Sequence, residues 1–426
     1  MARYHDSIEK TQAMLEVAGW SRLEESQRIF LQQQALTYRF TQQELKQICD
    51  IAVDMAMWGE DELARVWPVL DETGLAPKPR RQQLLSYLRQ HWQALKEKPF
   101  RFAGITPPNS HNGERIRRVN VEKERLGLGW CPVASPRTRC CNLLTLDAVE
   151  NCGFDCSYCS IQSFYHGDEV RFDSRFPEKL AALQIDPQKH YHIGTGQSSD
   201  SLMWGNQAGI LDALLAFAER HPNVILEFKT KSKNINHLLK REIPPNVLCT
   251  WSLNPQVVIS HEEHLAASLD ERLNAARRLA DKGALVGFHF HPMIRYDGWQ
   301  SGYGGIFERL CGSFDVDEVA MVSLGTLTYI KPVIKQLRDR PGFKSRVLQM
   351  PMVEAEGKLS YPEEIKREMF SFAYQSLAAW HGRVFFYLCM ENPRLWQPVF
   401  GYDYASNEAF EEAMKRSYFD KIEAKR

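Results

Sequence analysis

Six short runs of β-branched and apolar residues between positions 140 and 340 alternate with amphipathic segments, and this pattern most constrains the fold. The runs are CNLLTLDAV, HYHIGTG, NVILEFKTK, VLCTWSLN, ALVGFHFHPM and EVAMVSLGT. Strands that alternate with helices predict a parallel sheet, and crossovers of one kind throughout would bend it into a partial (β/α)6 TIM-type barrel. A flat doubly wound sheet is the alternative. In either α/β fold, catalytic groups are expected at the carboxyl ends of the strands.

The segments that flank this region have other patterns. Helical periodicity predicts a helical module over residues 1–97, where Ser21 and Thr41 each stand three residues before a glutamate, as N-caps do. Residues 98–139 are predicted to be a basic linker and residues 140–345 the partial barrel. Residues 346–426, which include the apolar run RVFFYLCM, are predicted to form a small α+β extension.

Composition excludes several classes of protein. The chain has 426 residues, of which 44% are hydrophobic and 25% charged, as in ordinary globular proteins. We find neither a signal peptide nor a run of about 18 apolar residues, and we therefore expect a cytoplasmic protein with no membrane association. In that compartment the ten cysteines are expected to be buried, catalytic or metal-bound rather than paired in disulfides.

One segment is strongly basic although the net charge is zero. Residues 78–125 carry 12 Lys and Arg against 4 Asp and Glu. Such a segment is able to neutralise DNA phosphates, or it is a solvated connector that complements the acidic helices before it. The candidate phosphate contacts are Arg80, Arg81, Arg115, Arg117 and Arg118.

The stretch NCGFDCSYCS places three cysteines directly after the first predicted strand. Cys152, Cys156 and Cys159 have the spacing to hold three irons of a [4Fe–4S] cluster and to leave the fourth iron open. A structural zinc ion would need a fourth ligand, such as His166 or Cys141. A second metal site that uses Cys131, Cys140 and Cys141 is a further possibility, although their spacing fits no recognised pattern.

The CxxxCxxC spacing after the first strand resembles the radical S-adenosylmethionine superfamily. The resemblance implies that the open iron binds S-adenosyl-L-methionine and that reductive cleavage releases a 5′-deoxyadenosyl radical. It also implies an electron donor such as a flavodoxin or a ferredoxin. In that superfamily the aromatic residue before the third cysteine, here Tyr158, lies beside the adenine.

Residues from about 145 to 310 resemble the spore photoproduct lyase family of DNA repair enzymes. The likeness is carried by GTGQSSDSL, FKTK, WSLN, SLDERLNAARRLADKGALVGFHFHP and YDGWQSGYGGIFERL. It implies a carbon–carbon lyase that acts on a damaged thymine in DNA. The implied contacts to S-adenosyl-L-methionine, besides Tyr158, are Gly194, Gly196, Ser198, Lys231, Ser252 and Asn254.

Two positions depart from the lyase pattern. Gln197 replaces the family's hydrogen-donating cysteine, and Ser160 replaces the tyrosine of the same radical relay. Cys249 is a substitute donor only if its side chain faces the barrel interior. Ser252, an implied cofactor contact, would then face the opposite side of the same strand. The substrate therefore stays open, and the alternatives are another DNA lesion, RNA, a peptide or a small molecule. A metal-binding protein without catalytic activity is a further alternative. His289 and His291 share one strand face, as substrate contacts or as hydrogen-bonded core residues.

Overall fold

The computed structural model describes residues 19–69, 77–102, 116–131, 137–164, 169–340 and 342–425. The chain divides into two compact units. The first comprises residues 1–108, 295–297 and 329–353, and the second comprises 109–294, 298–328 and 354–426. None of the helices described is long and apolar enough to cross a bilayer.

The strands of the described chain are numbered in chain order. They are β1 (Arg117–Val121), β2 (Leu128–Trp130), β3 (Leu144–Leu146), β4 (Val149–Glu150), β5 (Glu169–Asp173), β6 (Tyr191–Thr195), β7 (Val224–Thr230), β8 (Val247–Ser252), β9 (Leu285–Met293), β10 (Val319–Thr326), β11 (Thr328–Tyr329), β12 (Val353–Ala355), β13 (Lys358–Ser360) and β14 (Phe385–Leu388).

The second unit is built on an eight-stranded sheet with the order β14-β10-β9-β8-β7-β6-β3-β2. From β3 to β14 every neighbouring pair is parallel, and only β2 is antiparallel to its neighbour. Because the parallel strands succeed one another in chain order, the sheet is wound in one direction and forms a half-barrel. The predicted TIM-type fold is confirmed, and the doubly wound alternative is wrong.

The six predicted runs correspond to β3, β6, β7, β8, β9 and β10. The sheet also has a further parallel strand, β14, which lies in the run RVFFYLCM and pairs with β10. The sequence predicts that run only as part of the carboxyl-terminal extension. A smaller sheet in the same unit has the order β1-β5-β4, so part of the expected basic linker is strand β1.

Helices connect the strands of the half-barrel. Those described in the second unit are Phe176–Ala182, Ile210–Arg220, Asn236–Leu239, Gln256–Glu262, Leu269–Asp281, Trp299–Ser313, Glu363–Ser376, Trp396–Phe400 and Asn407–Ala424. The interior strands are buried on both faces, as the continuous burial of β8 and β10 shows.

The first unit is helical. Its described helices are Glu25–Tyr38, Gln42–Trp58, Leu63–Val66, Pro77–Glu97 and Lys331–Asp339. Thr41 caps helix Gln42–Trp58 as predicted. Its hydroxyl accepts a hydrogen bond from the Glu44 backbone N–H, and the Glu44 carboxylate accepts one from the Thr41 backbone N–H. Ser21 is not a cap. It lies inside a 3₁₀ turn, Trp20–Arg22, and the next helix begins at Glu25.

A buried ion pair joins helix Gln42–Trp58 to helix Lys331–Asp339, which is distant from it in the sequence. Asp54, only 1% exposed, accepts from the Arg338 guanidinium at 2.7 and 2.6 Å. The Trp92 indole donates to the same carboxylate at 3.1 Å. Because Arg338 lies on helix Lys331–Asp339, the helical unit uses a segment far from residues 1–97 in sequence.

Candidate active site

The three cysteines of the CxxxCxxC stretch lie on one loop that follows β4, at the carboxyl end of the first parallel strand. Backbone bonds fix this loop: Cys156 forms an isolated β-bridge with Glu263, and the Ser157 N–H donates to the Glu262 carbonyl at 2.9 Å. The Cys159 N–H donates to the Cys156 carbonyl at 3.1 Å, which turns the chain between the last two cysteines. The loop is thus held against the segment that follows β8.

The three thiols are near enough to one another for a charge on Cys159 to raise the pKa of Cys152 and Cys156. Burial raises the pKa of Cys152 and Cys156, so their thiols would lose protons only to a strong positive partner such as iron. Among the described residues, no group of three or more His, Cys, Asp and Glu side chains could hold a metal ion as they stand. A structural zinc site would need a fourth ligand besides the three cysteines, whereas a cubane offers each thiolate its own iron. The proposed fourth zinc ligand His166 lies outside the described residues.

A buried ion pair lies directly behind the cysteine loop. Glu263 and Arg272 are 1% and 0% exposed, and the guanidinium donates to the carboxylate. Arg272 also donates to the carbonyls of Ser252 and Ala267, both at 2.8 Å. Burial alone would raise the pKa of Glu263, but Arg272 and other donors hold it at about 2. The carboxylate is therefore charged and fixed.

Tyr158 is buried and donates its phenol proton to Glu263. Burial and the Glu263 charge raise the pKa of Tyr158 well above its usual value, so the phenol stays neutral. Lys231, at the end of β7, places its ammonium 5.6 Å from the centre of the Tyr158 ring and interacts electrostatically with Cys152 and Cys156. Lys231 and Tyr158 are thus beside the cysteine loop.

Ser198 and Gly196 form a tight turn after β6. The Ser198 hydroxyl donates to the Val149 carbonyl at 2.7 Å, and its N–H donates to Asp147 at 3.1 Å. Gly196 has φ of +80°, and a Cβ atom there would lie 2.8 Å from the Lys229 carbonyl. Only glycine fits this backbone conformation and approach. Gly194, in contrast, lies within β6, and a Cβ there would meet the Leu143 side chain at 3.0 Å.

Asp200 ties this turn to β7. Its carboxylate accepts from the Lys231 N–H and the Thr230 hydroxyl, each at 2.7 Å. It also accepts from the N–H groups of Leu202 and Met203. Asp200 therefore sets where the Lys231 side chain leaves the strand.

Ser252 is the last residue of β8 and Asn254 lies two residues beyond it; both are buried. The Asn254 amide is committed to protein partners: it donates to Glu263 at 2.9 Å and accepts from the Tyr303 phenol at 2.7 Å. In this arrangement Asn254 orients Glu263. The sequence predicts Asn254 as a cofactor contact and gives no signal for Glu263 or for Arg272, which lies within the quoted stretch SLDERLNAARRLADKG.

A hydrogen-bonded network fills the barrel interior. The fully buried His289 contacts Glu227 at 2.7 Å, and His192 contacts the same carboxylate at 2.9 Å. His291 and His289 both contact the Ser323 hydroxyl. Burial lowers the pKa of His289 to about 4, so it is neutral near pH 7. Of the two interpretations, the hydrogen-bonded core role is the one that these contacts fit.

Cys249 is not placed to return hydrogen to a product radical in the interior. Thr250 faces inward, because it donates to Glu227 at 2.7 Å. Cys249 is its neighbour on β8 and so faces the opposite side, where it is fully buried. Ser160, at the other substituted relay position, donates its hydroxyl to the Thr328 carbonyl at 3.1 Å.

The four described candidates for phosphate contact each have a partner in the protein. In the first unit, the Arg80 guanidinium lies 5.1 Å from the Tyr38 ring and Arg81 pairs with Glu44 at 3.2 Å. In the second, Arg117 pairs with Glu169 at 3.1 Å and Arg118 lies 5.0 Å from the Trp204 ring. Arg115 lies outside the described residues.

The chain is similar in sequence and in fold to known spore photoproduct lyases. A family model described as spore photoproduct lyase matches residues 152–338, a range that begins at the first cysteine of the loop. These residues are spore photoproduct lyase-like. The spore photoproduct lyase of Geobacillus sp. (strain Y412MC61) is 39% identical over 117 residues, which cover 27% of this chain and 34% of that protein. That of Clostridium acetobutylicum is 24% identical over 171 residues, 38% of this chain and 50% of that protein.

The chain therefore spans at most about half the length of these curated relatives. Solved structures share the fold more widely. A spore photoproduct lyase mutant with bound AdoMet and dinucleoside spore photoproduct matches 64% of this chain and 82% of its own, with a TM-score of 0.54 and 20% identity. A spore photoproduct lyase complexed with dinucleoside spore photoproduct has a TM-score of 0.53, 21% identity and the same coverage. At this identity the likeness establishes the half-barrel fold.

Proposed function

We propose that the protein is a radical S-adenosyl-L-methionine enzyme of the spore photoproduct lyase type, which acts on a damaged thymine lesion in DNA. The main support is the cysteine loop at the carboxyl end of the first strand, with Lys231 and Tyr158 beside it. This is the end of a parallel barrel at which catalytic groups gather. Relatives named spore photoproduct lyase, and a fold shared with structures that bind AdoMet, add support.

In this proposal Cys152, Cys156 and Cys159 hold the [4Fe–4S] cluster. When bound, the cluster and S-adenosyl-L-methionine supply a 5′-deoxyadenosyl radical through reductive cleavage, for which a flavodoxin or a ferredoxin would give the electron. The Lys231 ammonium offers a positive charge to a carboxylate or a donor to a ribose hydroxyl. The same cofactor site is proposed to be lined by Gly194, Gly196, Ser198, Ser252 and Asn254, with Tyr158 beside the adenine.

Glu263 and Arg272 act as positioning residues. The charged Glu263 carboxylate holds the Tyr158 phenol and the Asn254 amide in fixed orientations, and Arg272 neutralises that charge. Asp200 fixes the backbone of Lys231. The groups proposed to meet the cofactor are thus pre-ordered, which lowers the entropy lost on binding.

The lesion is proposed because solved structures of the same fold contain dinucleoside spore photoproduct. Gln197 and Ser160 replace two residues of the family's hydrogen relay, and an amide N–H is a very poor hydrogen-atom donor. We therefore expect the product radical to be quenched by another group.

The direct test measures 5′-deoxyadenosine release by anaerobically reconstituted protein with dithionite and S-adenosyl-L-methionine. Reactions are run with DNA that contains spore photoproduct, with undamaged DNA of the same sequence, and without DNA. Release that depends on the lesion, together with restored thymine, would support the proposal. Release that is equal in all three reactions would reject the lesion as substrate, and no release from iron-loaded protein would reject the enzyme.

A second candidate is the same radical chemistry on RNA, a peptide or a small molecule. One observation favours it: the four described candidates for phosphate contact each contact a group of the protein itself. Salt-dependent binding of DNA separates the two, because phosphate contacts release counterions and give a steep salt slope. The cytoplasmic location and a partner for residues 1–97 stay predictions.

A further inference from the structure

The proposed reaction needs a hydrogen donor that the cofactor site does not supply. Gln197 and Ser160 offer only strong N–H and O–H bonds to a product radical. Among side chains a thiol gives up a hydrogen atom most readily, because its S–H bond is weak. A usable thiol must face the barrel interior near the carboxyl ends of the strands, where the cysteine loop lies.

All but one of the ten cysteines are unsuited to this role. Three are the proposed cluster ligands of the cysteine loop. Three more precede β3 or lie beside its first residues, at its amino end: Cys131, Cys140 and Cys141. Cys249 faces away from the interior, and Cys49 belongs to the first unit. Cys311 lies on helix Trp299–Ser313, outside the strands. The tenth is Cys389, which directly follows β14.

Cys389 faces the barrel interior. In the pairing of β14 with β10, Tyr387 is opposite Ser323, whose hydroxyl lies 3.0 Å from His291 inside the barrel. Residues that are opposite one another in a sheet share a face, and so do alternate residues of a strand. The Cys389 N–H donates to the Leu324 carbonyl at 2.8 Å, so the pairing continues to Cys389. Tyr387 and Cys389 therefore point to the same side as Ser323.

The backbone around Cys389 leaves its thiol within reach. A Cβ atom at Gly325 would lie 3.1 Å from Cδ2 of His291 and 3.6 Å from the Cys389 carbonyl oxygen. The absence of a side chain at Gly325 thus lets the His291 ring lie against β10, next to Cys389. Cys389 is only partly buried, whereas Cys249 is 0% exposed. Burial raises the pKa of Cys389 to about 12, so at pH 7 the sulfur keeps the hydrogen that a donor must carry.

The Tyr387 phenol lies one step deeper on the same face of β14. Tyr387 is only 4% exposed, and within the described part of the chain its hydroxyl has no hydrogen-bond partner. Burial raises the pKa of this phenol well above its ordinary value, so it also keeps its hydrogen. An unpaired buried hydroxyl is unfavourable for folding, and such groups occur where redox or catalytic chemistry requires them.

We propose that Cys389 is the hydrogen-atom donor of the reaction and that Tyr387 restores its thiol. This inference rests on the proposed function, because it needs a product radical. The Cys389 S–H bond breaks as a C–H bond forms on the product, which leaves a thiyl radical. The Tyr387 O–H bond then breaks as the S–H bond forms again. The resulting phenoxyl radical takes one electron from the flavodoxin or ferredoxin donor and one proton from water.

The test uses the full-length, cluster-loaded protein with dithionite, S-adenosyl-L-methionine and DNA that contains spore photoproduct. Cys389→Ser and Tyr387→Phe keep the shapes of the side chains but remove the S–H and O–H bonds. Cys311→Ser is the matched control, because Cys311 is also partly buried but lies on an outer helix. Restored thymine and 5′-deoxyadenosine are counted for each protein. The wild-type reaction is repeated in D₂O, where thiol and phenol hydrogens exchange with solvent.

We expect Cys389→Ser to release 5′-deoxyadenosine as the wild type does but to lose most of the thymine restored per 5′-deoxyadenosine. Tyr387→Phe should restore thymine in the first turnover and slow the later ones. In D₂O the wild-type thymine should gain a deuterium atom.

Two results would overturn the proposal. One is a Cys389→Ser variant that restores as much thymine as Cys311→Ser. The other, which needs no variant and so decides the matter if Cys389→Ser does not fold, is wild-type thymine without deuterium after reaction in D₂O. Later turnovers at the wild-type rate in Tyr387→Phe would overturn the role of Tyr387 alone. A wild type that restores no thymine would instead reject the proposed function, and this inference with it.

Discussion

The buried pair behind the cysteine loop allows a quantitative prediction for the change Arg272→Met. The pKa of Glu263 is held at about 2 against an ordinary 4.5, although burial acts to raise it. At about 1.4 kcal/mol per pH unit, the surroundings favour the charged carboxylate by about 3 kcal/mol, and Arg272 is the largest favourable contributor. Arg272→Met should therefore lower the free energy of unfolding by about 3–5 kcal/mol, because it leaves a buried charge without its main partner.

The double variant Arg272→Met with Glu263→Gln should be more stable than the single variant, because no unpaired charge stays buried. Arg278→Met is the control, since Arg278 is on the same helix but exposed, and it should change stability by about 0.5 kcal/mol or less. Urea unfolding at pH 7, followed by circular dichroism, measures all three. The reasoning is refuted if Arg272→Met unfolds at the same urea concentration as Arg278→Met, or if the double variant is no more stable than the single one.

Four further predictions follow from other parts of the structure. Cys156→Ala should abolish both the [4Fe–4S] cluster and 5′-deoxyadenosine release, as iron counts and product analysis would show, whereas Cys249→Ala should preserve both. Lys231→Ala should weaken binding of S-adenosyl-L-methionine but keep the cluster; unchanged affinity in calorimetry would exclude Lys231 from the site. Because burial lowers the pKa of His289 to about 4, its contribution to stability is complete above pH 6.5 and is lost as the pH falls toward 4. A His289→Gln variant should therefore lose less stability over that interval in urea titrations. Arg338→Ala should destabilise the helical unit by about 3–5 kcal/mol, because Asp54 would be buried unpaired, and a wild-type urea midpoint would contradict this.

The half-barrel was predictable because its strands are local features of the sequence. Each of the six runs ends in a recognisable change of pattern, and the cysteine loop follows the first of them. Strand β14 could not be predicted as part of the sheet, because a run of four apolar residues does not reveal that it pairs with β10.

Side-chain partners were harder to predict than positions. Arg272 lies in an amphipathic helix, where an arginine in sequence looks like a solvent-facing residue, yet it is fully buried against Glu263. Asn254 has the position expected of a cofactor contact, but its amide bonds to Glu263 and Tyr303.

The discontinuity of the helical unit limits how this protein could have arisen and how it can be dissected. A domain joined to the amino terminus by simple gene fusion would be contiguous, but this unit also includes residues 329–353, which follow the sixth strand of the half-barrel. A single cut after residue 108 would therefore remove the helices that pack on Lys331–Asp339. Asp54 would be lost with them, and its partner Arg338 would be left exposed. Loss or replacement of the amino-terminal helices during evolution would have required coordinated change within the chain that continues the barrel.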